Sequence, residues 1–430
     1  MSIEPKHRAR KAIAIGGMSA AVVLSVAVSN AFAAPTPTPK PSASSNNAAC
    51  APSEGVSPTA IKIGYFYPKT GPAAANFAGG EQAARLRIAQ ENAKGGINGR
   101  KLELIAYDDQ SNPSTQVSVT NKALQDDHIF GLVLTSATDA AFPLFKAQGI
   151  PVTGFQSLPM STDRNAFAIG GAPSATIVST AVLERLKQAG VTNLAYISHN
   201  SPSAASSMAN SAKAAGPGGT GLKQALLILD EPQGAHDATS TALRIKNSGA
   251  DGAYLSMFVD GVVSIAQALK QQGVSLKGTL GAGIIDPAVA AQLAGPLEGM
   301  IGATYGTIPA GVPGRPGMRT YINGMQAAGL NPYTPIAPVG FAATDLMITG
   351  LKLAGKCPTR ESFISNLRKV TNFDAHGMMP QKTSYLPGVM PNGSPSKCSW
   401  FVTIKSGKVV PDPKATCGKL VDTTTGQVVG

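Results

Sequence analysis

The loop Leu134-Thr135-Ser136-Ala137-Thr138-Asp139 closes a predicted strand and opens a predicted helix, and its residue types suit anion binding. The first N–H groups of a helix lack intrahelical partners, the helix dipole favours negative charge there, and neighbouring hydroxyls add donors. A plainer role stays open on the same residues: Thr138 or Asp139 caps the helix. Catalytic spacing is missing. The five histidines (His7, His128, His199, His236, His376) lie far apart, and no His-x-x-x-His, Gly-x-Ser-x-Gly or phosphate-loop pattern occurs. Gly281-Ala282-Gly283 lacks the third glycine of a dinucleotide fingerprint and reads as a tight turn. Asp108-Asp109 could serve a metal or acid–base chemistry, but they follow a strand and precede Asn112-Pro113, which favours a turn-shaping role. Cys50, Cys357, Cys398 and Cys417 have no metal-ligand spacing and none neighbours a histidine. No catalytic residue, metal or cofactor is therefore expected, and binding remains.

The elements that must position such loops alternate in type. Ile61–Tyr67 is a β-branched and aromatic run that stops at Pro68, Gly71 and Pro72; helix formers run from Gly80 to Lys94 and close at Gly95-Gly96; Lys101–Tyr107 is a second strand. Strand, helix and parallel strand make a right-handed crossover unit, and ligands of such sheets bind beyond the carboxyl ends of the strands. The series continues with strand His128–Leu134, helix Asp139–Gln148, strand Ile150–Phe155 and helix Ser174–Gln188. A second series begins at strand Asn193–Ser198 and runs to Gly299–Tyr305. Two successive βα series imply two doubly wound α/β domains. A Gly/Pro-rich connection, residues 306–317, leads to three helical patterns, Met318–Ala328, Gly340–Ala354 and Arg360–Val370. Trp400–Lys405 and Lys408–Val410 form a hairpin turning at Ser406-Gly407.

The chain has 430 residues, enough for two domains, and is 43% hydrophobic and 14% charged. Lys6, Arg8, Arg10 and Lys11 precede an apolar run, Ala12–Val28, and Ala31-Phe32-Ala33 supplies a small-x-small cleavage pattern. Residues 1–33 are thus an export signal rather than a membrane anchor, which places the mature chain outside the cytoplasm. Their removal takes four basic residues and one acidic one, lowering net charge from +12 to +9. Lysines and arginines are scattered and never interleave with aromatics, so a nucleic-acid partner is not expected. Residues 34–59 begin Pro/Ser/Thr-rich and read as a tether. Asn47-Ala48-Ala49 before Cys50 does not match a lipidation site. Four cysteines in an exported chain imply two disulfides, with three possible pairings.

"IKIG…TGP" on the first strand, "GGINGRKLEL" before the second and "YDDQSNP" after it resemble the opening of the type I periplasmic solute-binding proteins, in particular the leucine/isoleucine/valine-binding group that serves ATP-driven (ABC) importers. The likeness extends from about Ala60 to Val410. It implies two doubly wound parallel-sheet lobes joined by a three-stranded hinge: residues 60–173 plus 309–383, and 174–308 plus 384–430. A small organic solute, carboxylate-bearing and either amino-acid-like or an organic acid, would be held between them by a monomer that meets importer permease subunits in the membrane. The resemblance places Thr135 and Ser136 on the loop that takes a substrate carboxylate. It places Ser157 and Leu158 where relatives supply a carbonyl and a hydroxyl, and Phe77 and Phe258 as aromatic walls. Pairing Cys398 with Cys417 and Cys50 with Cys357 keeps each bridge within one lobe, which is preferred because a bridge between lobes would hinder closure.

One departure bears on the ligand. The resemblance leads to an acidic partner for a substrate ammonium near Gly283, and glycine cannot supply it. A buried ammonium without a counter-charge is costly, so an acid lacking the amine fits better unless Asp260 or Asp286 substitutes. Two other classes stay open: the ligand-binding subunit of an extracytoplasmic sensor, on the same fold, and a secreted hydrolase, which would need a nucleophile–base pair.

Overall fold

The computed structural model describes residues 50–429 apart from residues 156 and 234–235. The expected export signal, and the expected tether up to residue 49, lie outside the described residues. The first lobe holds a parallel sheet in the order β2-β1-β3-β4-β5. Its strands are β1 (Ala60–Tyr67), β2 (Lys101–Asp108), β3 (Gly131–Leu134), β4 (Val152–Gly154) and β5 (Ala166–Ala168), connected through α1 (Ala74–Phe77), α2 (Gly80–Ala93), α3 (Pro113–Gln125) and α4 (Phe142–Ala147). β1 lies inside the sheet and is buried without a break from Ile63 to Tyr67, as a parallel strand covered on both faces must be.

Next come β6 (Ile177–Ser179) and α5 (Ala181–Gln188), then the second sheet: β7 (Asn193–His199), β8 (Lys223–Glu231), β9 (Gly252–Ser256), β10 (Gly278–Ala282) and β11 (Ile301–Ala303). Helices α6 (Pro202–Ala214), α7 (Ala238–Asn247), α8 (Val259–Gln271), α9 (Pro287–Gln292) and α10 (Ala294–Leu297) lie between them. Three helices follow, α11 (Pro316–Ala327), α12 (Ala337–Leu353) and α13 (Arg360–Leu367), and these pack back on the first lobe. The chain ends in β12 (Cys398–Ser399), β13 (Phe401–Lys405), β14 (Lys408–Pro411), β15 (Thr416–Cys417), β16 (Leu420–Asp422) and β17 (Gln427–Val428). β13, antiparallel to β11, and β14, antiparallel to β13, extend the second sheet, giving the order β14-β13-β11-β10-β9-β7-β8.

α12 is the central support of lobe one, with 14 of its 17 residues buried. Gly340 lets it approach α2 closely: a Cβ there would lie 2.5 Å from the Gly80 carbonyl oxygen and 2.8 Å from the Tyr65 hydroxyl. Buried charges tie the two helices. Arg87 meets Asp345 at 2.8 Å and Glu91 at 3.0 Å, and Lys352 reaches Glu91 at 2.6 Å.

The chain passes between the sheets three times: after β5, after β11, and between the lobe-one core residue Tyr385 and β13. The three passages are hydrogen-bonded to one another. The Ala172 N–H donates to the Ser394 carbonyl at 3.1 Å, and the Thr304 hydroxyl to the Trp400 carbonyl at 3.4 Å. The disulfides are Cys50–Cys357 and Cys398–Cys417, the second joining β12 to β15.

The structure departs from the sequence pattern at several places, among them these. Ser174–Gln188 is a strand and a helix, because β6 pairs antiparallel with β16 from the far end of the chain. The helix expected at Asp139 begins at Phe142, and the strand expected at His128 begins at Gly131. α3 was not foreseen, although Asn112 caps it and Pro113 opens it. The stretch read as a tether through residue 59 is tied down from Cys50 onward: besides the disulfide, Val56 bridges Ile61, and the Lys62 N–H donates to the Gly55 carbonyl at 2.9 Å.

Candidate functional site

Both sheets share one order among their parallel strands, with the first strand flanked by the second on one side and the third on the other. The strand order therefore reverses beside β1 in lobe one and beside β7 in lobe two, and the crevice beyond the carboxyl ends at such a reversal is where ligands bind in doubly wound sheets. The loops that matter are those after β1 and β3, and after β7 and β9.

In lobe one, Thr135 is fully buried and its hydroxyl donates to the Tyr65 hydroxyl at 2.8 Å. Ser136 Oγ accepts from the Thr138 N–H at 3.1 Å and from Gln116 Nε2 at 3.3 Å, and it also bonds the buried Asp109. Burial raises the Asp109 pKa, against the hydrogen bonds from Ser136, the Ser111 N–H and Gln116. Gln116, on the unforeseen α3, fixes the loop further: its Nε2 donates to the Thr138 carbonyl at 2.8 Å and its Oε1 accepts from the Ala141 N–H at 3.0 Å. Neither Thr138 nor Asp139 caps α4, whose N-cap is Ala141. Asp108 does shape a turn, accepting from the Lys69 and Thr70 N–H groups and the Thr70 hydroxyl. The Phe155 N–H donates to the Leu134 carbonyl at 2.9 Å, which sets the loop carrying Ser157 and Leu158 beside the Thr135 loop. Ser157 and Leu158 are half-buried at the start of a single 3₁₀ turn. Phe77, 6% exposed, belongs to the lobe-one core.

In lobe two, the Phe258 ring packs on His199 with centroids 4.6 Å apart, and its N–H donates to His199 Nε2 at 2.7 Å. That bond requires a neutral ring with its proton on Nδ1. Burial lowers the His199 pKa, opposed by the Pro232 and Glu231 backbone and by Asp260. Phe258 also packs against the lobe-one core. Across the gap, Asn76 Oδ1 accepts from the Val259 N–H at 3.1 Å, and Asn331 Nδ2 donates to Asp286 Oδ2 at 2.9 Å. Phe155 of lobe one and Tyr305 of the passage after β11 meet edge to face at 5.5 Å. The two lobes are thus in contact, and Asn76 joins the loop after β1 to the start of α8. Asp286 is committed twice, to Asn331 and to the cap of α9, whereas Asp260 stays exposed in the first turn of α8. Asn76, His199, Tyr305 and Asn331 were not singled out from sequence. The one local signal was a histidine ending a strand at the carboxyl edge.

Ser264 Oγ lies 3.1 Å from His236 Nε2, but its hydrogen bond to the Gly261 carbonyl at 3.0 Å holds it along α8. Among the described residues no group of three or more His, Cys, Asp or Glu side chains could hold a metal, and no helix is long and apolar enough to cross a membrane.

This architecture is that of the two-lobed type I periplasmic binding proteins, as comparison with solved structures shows. The chain overlays the fatty acid ABC transporter substrate-binding protein from Thermomonospora curvata with a TM-score of 0.69 at 17% identity, covering 85% of this chain and 94% of that one. For an ABC-transporter solute-binding protein from R. palustris in complex with benzoate the TM-score is 0.68 at 15% identity, covering 84% and 97%. Likeness at such identities is one of fold alone. Over 96 residues the chain is 36% identical to the Leu/Ile/Val-binding protein of Escherichia coli (strain K12), a match taking in 21% of this chain and only 25% of that protein's length. The family model described as Periplasmic binding protein matches residues 60–408, and the chain belongs to that family.

Proposed function

We propose that this chain is an extracytoplasmic solute-binding protein that captures a small carboxylate-bearing organic solute between its lobes and delivers it to an ABC importer. The observation that carries the reading is the meeting of the two sheet reversals, bridged by the Asn76–Val259 hydrogen bond. A ligand there touches both lobes, and its differential affinity for the closed arrangement shifts the open–closed equilibrium. The lobes divide at residues 173, 308 and 383. The carboxylate goes to the loop of Thr135 and Ser136, with Ser157 and Leu158 at its side and Phe77 and Phe258 as apolar walls.

The solute we favour lacks an amine. Position 283 is glycine and Asp286 is already paired, so among the acidic residues considered only the exposed Asp260 is left to meet an ammonium. Relatives named for branched-chain amino acids and others named for a fatty acid or benzoate share the fold, so the fold leaves both solute classes available and the local charge favours the second. Thermal-shift screening of refolded, ligand-stripped protein against amino acids and their deaminated counterparts tests this. Stabilisation by 4-methylpentanoate but not by leucine is expected; stabilisation by leucine alone would refute the choice.

A further inference from the structure

We propose that Gly283 sets the distance to which the two lobes close. It rests on the solute-binding reading only in taking closure as the working motion. Gly283 follows β10 with φ +73°, in the left-handed region. Its N–H donates to the Ala303 carbonyl and its carbonyl accepts from the Ile285 N–H, both at 2.9 Å, so its own sheet pins it in place. A Cβ at this position would lie 2.9 Å from Val259 Cγ2, 3.2 Å from Pro335 Cγ and 3.2 Å from the Tyr305 hydroxyl. Val259 is β-branched at the first turn of α8, and Pro335 is a ring on lobe one just before α12. Both are stiff, and neither yields as the tip of a long side chain would.

Val259 lies on the same lobe as Gly283, so crowding against it persists at any lobe separation; Pro335 belongs to the opposite lobe, and room beside its ring is gained by moving the lobes apart. The same junction holds the Asn76–Val259 and Asn331–Asp286 hydrogen bonds. Those bonds and the Gly283–Pro335 contact form or break together. The absence of a side chain at this one position therefore lets α8 and the loop before α9 come down onto lobe one.

The test traps closure without a ligand. Asn331→Cys and Asp286→Cys are introduced together, and the rate of their cross-linking under mild oxidant is followed by mass and by free-thiol count. Adding Gly283→Ala is expected to slow cross-linking about tenfold, the scale of a core overpacking penalty. Adding Pro335→Ala to that variant is expected to restore the rate. Backbone strain from a Cβ at positive φ and crowding against Val259 of the same lobe would slow the reaction too, but removing the ring from the opposite lobe would relieve neither. Unchanged cross-linking in the Gly283→Ala variant, a slow rate that Pro335→Ala fails to restore, or no cross-link in the parent pair overturns the proposal. No solute takes part, so failure to find one would count against the proposed function and leave this result standing.

Discussion

Thr135 and His199 show how single residues hold the two faces of the gap. The Thr135 hydroxyl ends on Tyr65 inside lobe one, and the Ser136 hydroxyl joins Asp109 and Gln116. Thr135→Ala with Ser136→Ala is expected to weaken ligand binding by about 1–3 kcal/mol, the usual result of stranding buried polar partners; calorimetric titration with the best-stabilising acid checks it, and an unchanged Kd moves the anion site elsewhere. His199 titrates in the opposite sense to a paired histidine. Burial holds its folded pKa below the ordinary 6.5, so the unfolded chain takes up the proton first as pH falls. Stability should therefore decline on acidification below about pH 6.5, until the folded pKa is passed. A protonated Nε2 can no longer accept from the Phe258 N–H. His199→Gln should flatten this part of the curve in pH-dependent denaturant unfolding; an identical slope would remove His199 from the account.

At the scale of elements, α2 and α12 are joined by the buried Arg87–Asp345 pair and by the half-exposed Lys352 on the buried Glu91. Asp345→Ala leaves Arg87 buried without its 2.8 Å partner and is expected to destabilise the fold by about 3–5 kcal/mol in denaturant unfolding. A loss below about 1 kcal/mol would mean that Glu91 alone satisfies the guanidinium. Local pattern was enough to read β1, α2, β2 and most of the second series, because apolar runs, helix formers and the turn residues that stop them are all local signals. It failed where the deciding partner was remote. β6 is a strand because β16 lies beside it, more than 240 residues away in the chain. The loop at Thr135 is legible as a strand end, yet its fixing residue, Gln116, sits on a helix whose start, Asn112-Pro113, reads locally as a turn. Asn76 and Asn331 gave no signal at all, since each acts on the opposite lobe and such pairs leave no local spacing.

At the scale of the whole molecule, the proposed function needs the two lobes to part and meet. Cys50–Cys357 ties the entry of the described chain to lobe one, and Cys398–Cys417 joins two short strands beside the last passage. Replacing either pair by serines should lower stability by about 2–5 kcal/mol without abolishing closure, because neither bridge spans the gap. Three hydrogen-bonded passages join the lobes, and the contacts across the gap are both polar, Asn76 with Val259 and Asn331 with Asp286, and apolar, Phe258 on the lobe-one core and Phe155 on Tyr305. The most direct measurement is small-angle X-ray scattering from ligand-stripped protein, alone and with saturating amounts of the acid that stabilises it. A smaller radius of gyration in the bound state is expected, as the open population moves to the arrangement in which Asn76 meets Val259. The same radius with and without a bound acid would contradict the account.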